Sequence, residues 1–105
     1  MLYVIEYGCG CGSNEMIVEA ENEEAAVRFA WEKACEDYES FEGLHGIPDI
    51  HDVCEDYGIE DITSSEAEEA YREERESWLD YSVEEFDISN ESHTDLLEAD
   101  GAYKI

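Results

Sequence analysis

The fold turns on residues Leu2–Asn22, LYVIEYGCGCGSNEMIVEAEN. Leu2–Tyr7 (LYVIEY) is rich in β-branched and aromatic residues and predicts a strand. Gly8–Asn14 (GCGCGSN) is a glycine-punctuated turn. Glu15–Ala20 (EMIVEA) predicts a second strand, with Met16, Val18 and Ala20 alternating along one face. The two strands predict a hairpin with a long loop. Asn22 then reads as an N-cap. Glu23 and Glu24 follow in the first turn, where carboxylates suit the positive end of the helix dipole.

Downstream, Val27, Ala30, Trp31, Ala34 and Tyr38 recur at i, i+3, i+4, i+7 and i+11. That spacing predicts one apolar stripe on a helix reaching about Tyr38, with Glu32, Glu36 and Glu39 on the opposite face. Ser40–Pro48 (SFEGLHGIP) reads as a loop. Pro48 suits the start, and Gly58 the end, of a short helix over Asp49–Tyr57. Ser64 or Ser65 caps a third helix with Ala67, Ala70, Tyr71 and Trp78 inward. Tyr81–Ile88 (YSVEEFDI) predicts a third strand that pairs with the hairpin. Ser92 or Thr94 caps a short turn through Asp95–Ala99, stopped by Gly101. The expectation is one α+β domain over residues 1–105, a small antiparallel sheet packed by two to three helices.

The chain has 105 residues, with 31 Asp+Glu against 5 Lys+Arg, a formal net charge of −26 at pH 7. Self-repulsion on that scale works against compaction. Hydrophobic residues at 43% and aromatic residues at 11% nevertheless argue for a packed core rather than a disordered chain. Too few cations are present to neutralise a phosphate backbone, which excludes direct nucleic-acid binding. An anionic membrane surface would repel the chain, and no apolar run approaches the roughly 20 residues of a span. Met1–Glu6 lacks the basic start and long apolar core of a signal peptide, so the expected compartment is the cytoplasm.

Glutamate is a good helix former, and a solvated outer face accounts for its abundance. It does not account for the scarcity of lysine. Ordinary surfaces intersperse both signs, and like charges at i, i+4 cost stability. Glu69 and Glu73, Glu32 and Glu36, and Glu76 and Asp80 are such pairs. Duplex DNA presents one charge per about 3.4 Å per strand. Carboxylates at i, i+3 and i+4 recur about every 5 Å along a helix. Arginine meets carboxylate and phosphate with the same planar fork. A groove built for phosphate would therefore accept such a row.

In its charge and size the chain resembles the small, highly acidic inhibitors of phages and other mobile elements, the anti-CRISPR and anti-restriction proteins that act as DNA mimics. Such inhibitors share no common fold, and no motif carries the resemblance. It implies a non-enzymatic inhibitor that occupies the nucleic-acid site of a basic host defence effector. The expected contact row is Glu66, Glu69, Glu73, Glu76 and Asp80, with Glu32, Glu36 and Glu39 as the second. A homodimer would lengthen the acidic track. An acidic antitoxin or chaperone for another basic protein is a further alternative.

The four cysteines offer a different reading. Cys9 and Cys11 lie in the glycine loop, and His51 and Cys54 stand three apart on the second helix. Four such ligands match a tetrahedral Cys₃His set, so a zinc-stabilised interaction module is an alternative. The plain reading is two incidental loop thiols and an ordinary helical histidine. Cys35 reads as a buried small hydrophobe. His45 and His93 read as loop residues. No nucleophile–base signature or phosphate-cradling loop appears, and Asp49, Asp52 and Asp56 do not follow a calcium-loop pattern.

Overall fold

A computed structural model of the chain describes every residue except Cys11. Leu2–Gly8 (β1) and Ser13–Glu19 (β2) form the hairpin, in register from Leu2 opposite Glu19 to Gly8 opposite Ser13. β2 begins earlier than the alternation suggests because the ladder continues to the turn. Gly8 is sterically required there: a Cβ would stand 2.2 Å from the Gly12 carbonyl oxygen. Both Ile17 and Val18 are buried, so the sheet is covered on two faces rather than one. Tyr3, Ile5, Val18 and Ala20 share a core with the first helix. Val4 and Ile17, paired across the hairpin, point the other way.

Glu23–Phe41 (α1) begins at Asn22, whose side chain accepts the Ala25 N–H at 2.9 Å. Its buried residues are Ala26, Ala30, Ala34, Cys35 and Tyr38. The stripe is rotated from the expected one. Small alanines face the sheet and let the helix approach closely, while Val27 is 38% exposed and Trp31 half-buried. Ile50–Tyr57 (α2) starts with a capping box between Asp49 and Asp52 and ends at Gly58, whose φ of 70° is left-handed. Ser65–Trp78 (α3) is capped by Ser64, which accepts the Ala67 N–H at 3.1 Å.

Asp80–Glu85 (β3) pairs antiparallel with the free edge of β1. It stops at Glu85, short of the expected Ile88, and the two elements that follow it also depart from expectation. Glu91–Asp100 (α4), capped by Asn90, is a full helix rather than a short turn, and it packs on β2. Ala102–Lys104 (β4) then pairs with β2 in parallel, placing Ala102 opposite Ile17. The sheet order is β3-β1-β2-β4. The α+β class holds, with a mixed sheet and four helices, 49% helix and 22% strand.

α1 is 19 residues long, about 28 Å, and outruns the sheet. Its first half packs on the sheet. Its second half joins another core, in which Cys9, Tyr38 and Ile47 are buried beneath Phe41, Tyr71, Trp78 and Leu79. The result is an elongated body of 53 × 27 × 16 Å with a radius of gyration of 16.5 Å. A compact chain of this size would have about 13 Å. Among the described residues no helix is long and apolar enough to cross a membrane.

Candidate functional site

α3 turns its alanines inward. Ala67 and Ala70 are buried, and Tyr71 packs edge-on to Tyr38 at 5.9 Å. That packing fixes the rotation of the helix and leaves Glu66, Glu69 and Glu73 exposed in a row. Among the described residues, no ion pair or side-chain hydrogen bond reaches these three. They border a shallow cleft of about 190 Å³ whose other walls are Ala70, Ile59 and the half-exposed Tyr57. The cleft sets an aromatic ring beside the carboxylates, a chemistry that suits a guanidinium or ammonium group.

The rest of the expected row behaves differently. Glu76 accepts from Trp31 Nε1 at 3.0 Å and from the Tyr81 hydroxyl at 3.3 Å, so it bridges α3 to α1 and β3. Asp80 is not on the helix. Leu79 ends α3 in extended backbone, and Asp80 opens β3 opposite Gly8. The helical spacing that joined Asp80 to Glu76 therefore does not exist.

The second row is compensated. Arg28 lies 3.5 Å from Glu32, Lys33 3.3 Å from Glu36, and Arg75 3.9 Å from Glu39. Arg72 pairs with Glu68 at 2.6 Å. Four of the five cations thus answer carboxylates outside the Glu66, Glu69, Glu73 row.

Arg75 joins two helices. Its side chain is only 15% exposed, and its guanidinium lies 5.8 Å from the ring centres of both Trp31 and Tyr71. It fills the seam between α1 and α3 with its charge toward Glu39. Tyr71 donates to Glu42, and Tyr38 donates to the Pro48 carbonyl. Burial first, and the Glu42 charge second, push the Tyr38 phenol up to about 12. Burial also raises the Cys35 thiol, with Arg75 opposing.

The four expected zinc ligands are distributed as follows. Cys9 is buried in the second core, Cys54 is buried beneath α2, and His51 is exposed on the outside of the same helix. Cys11 lies outside the described residues. Among the described residues no three His, Cys, Asp or Glu side chains are gathered in a way that could hold a metal ion. His93 is not a loop residue. It is buried in α4, where Nδ1 accepts the Asp87 N–H at 3.0 Å and Nε2 lies 2.8 Å from Glu84. With Nδ1 accepting, Nε2 carries the proton and donates to that carboxylate. His93 thus fastens α4 to the end of β3.

Comparison with protein-family models, with curated proteins and with solved structures found no match to this chain.

Proposed function

We propose that the chain is an inhibitor that occupies the nucleic-acid site of a basic host defence effector, an anti-CRISPR or anti-restriction protein acting by DNA mimicry. The observation that carries this reading is the unpaired row Glu66, Glu69 and Glu73. A fold with five cations directs four of them elsewhere. The row sits on a packed helix, so its charges hold a fixed spacing. At about 5 Å per carboxylate it is somewhat sparser than a DNA strand at 3.4 Å per phosphate. An arginine-lined groove tolerates that difference because guanidinium forks pair with either anion. The 53 Å body is about fifteen base-pair steps long, enough to fill a duplex-binding channel. A net charge of −26 would also speed encounter with a basic partner.

The test is affinity capture from a lysate expressing several defence effectors, eluted by salt and, separately, by duplex DNA. Release of one nucleic-acid-binding effector by both eluents is expected. A specific partner retained through both would contradict mimicry and indicate docking away from the nucleic-acid groove.

A further inference from the structure

A second cleft shares no lining residue with the one beside Glu66, Glu69 and Glu73. It is an open cleft of about 430 Å³ between α1 and β3, walled by Val27, Trp31 and Tyr81, with Glu23 and Glu24 at its rim. Its character is unlike the rest of this surface. Val27 is 38% exposed on a helix whose inward face is alanine, so the valine contributes little to the core. The two aromatic walls are held in place by one carboxylate: Glu76 accepts from the Trp31 indole and from the Tyr81 hydroxyl. Arg28 also lines the cleft, but its charge lies 3.5 Å from Glu32 and is answered there. The cleft is therefore an apolar socket with rigid aromatic sides, set in a negative rim.

We propose that this cleft is a docking socket for an apolar side chain carried on a basic helical segment of the partner protein. The inference rests on the reading above that the partner is basic, and it deepens that reading by adding an anchor that nucleic acid itself lacks. Charge complementarity selects this occupant. Glu23 and Glu24 would repel a second copy of a chain at −26 and attract lysine or arginine beside the anchor. Continuity supports it as well. Glu76 belongs to the same helix as Glu66, Glu69 and Glu73, and about 15 Å separates Glu66 from Glu76 along the axis. Glu76 also holds the Trp31 and Tyr81 walls, so the row and the socket are joined through α3. Rigid tryptophan and tyrosine walls are the kind of surface on which interface energy concentrates, because little side-chain freedom remains to be lost.

The experiment titrates the protein with two synthetic helical peptides of lysine and alanine, identical except for one central leucine or serine. Affinity and amide NMR shifts are read for wild-type protein, for Val27→Ser, and for the double variant Glu69→Gln with Glu73→Gln. Val27 is exposed, so its replacement leaves the fold intact. The leucine peptide is expected to bind wild-type about tenfold more tightly than the serine peptide, with shifts at Trp31 and Tyr81. Val27→Ser erases that ratio. The double variant weakens both peptides and preserves it. Equal binding of the two peptides by wild-type, with Trp31 and Tyr81 unmoved, overturns the socket while leaving the charged row standing. A preserved ratio with no salt dependence overturns the charge reading instead. Self-association of the protein alone, abolished by Val27→Ser, would make the cleft a contact between copies and overturn the proposal.

Discussion

Glu32, Glu36 and Glu39 on α1 each face a cation at 3.3–3.9 Å, whereas Glu66, Glu69 and Glu73 on α3 face none among the described residues. The two rows have similar spacing and similar exposure. They differ in company. α1 carries Arg28 and Lys33 within a turn of its glutamates, and Arg75 reaches across from α3. α3 spends its own cations elsewhere, Arg72 on Glu68 and Arg75 in the seam. The lesson is that the count of carboxylates does not locate an anionic surface. The placement of the few cations does.

The largest expected effect comes from the residue that links the two rows. Arg75→Ala removes a mostly buried guanidinium flanked by two aromatic rings and leaves Glu39 without a partner. A loss of about 2–3 kcal/mol in chemical denaturation is expected. A loss below about 0.5 kcal/mol, the usual size for a surface substitution, would mean the seam does not depend on this cation.

Some carboxylates in this chain stabilise it, and Asp49 is the clearest. It caps α2, and the Asp52 N–H that it accepts holds its carboxyl below the usual carboxylate range. A depressed folded value means its contribution is present above an unfolded pKa of about 3.9 and is lost as pH falls through the lower folded value. Asp49→Ala is expected to cost about 1 kcal/mol at neutral pH. Asp49→Asn keeps the cap and removes that acid-induced loss. Equal acid sensitivity in Asp49→Asn and wild-type would contradict the assignment.

Unpaired carboxylates should do the reverse. Replacing Glu66, Glu69 and Glu73 together by Gln removes an i, i+4 repulsion and is expected to raise stability by about 0.5 kcal/mol at low salt. The same change in Glu32, Glu36 and Glu39 removes ion pairs and should leave stability level or slightly lower. Added salt should narrow the gap by screening both effects. The smallest effect is expected outside both rows. His51→Ala, an exposed ring, should change stability by less than about 0.5 kcal/mol, while Cys54→Ser disturbs a buried side chain. Matching losses would indicate a shared metal.

What was legible in the sequence was local. The hairpin, the Asn22 and Ser64 caps and the Gly58 stop follow from spacing and turn chemistry over a few residues, and the strand character of β3 was legible while the edge it joins was not. What was not legible depends on partners distant along the chain. β4 is three residues whose strand character comes entirely from lying beside β2. The rotation of α1 toward Ala26 rather than Val27 follows from how closely the helix approaches the sheet, which periodicity does not encode. At the candidate site, Glu66, Glu69 and Glu73 were recoverable because helix spacing sets them on one face. The displacement of Asp80 and the engagement of Glu76 were not, because the helix end and the positions of Trp31 and Tyr81 decide them.

The most direct test sets the two rows against each other. Wild-type, the Glu66, Glu69, Glu73 triple-Gln variant and the Glu32, Glu36, Glu39 triple-Gln variant would each be measured against the captured effector, with duplex DNA as competitor. The account predicts that DNA displaces wild-type, that the α3 variant binds about tenfold more weakly, and that the α1 variant binds within about twofold of wild-type. Equal weakening by the two variants, or binding that duplex DNA leaves untouched, would contradict it.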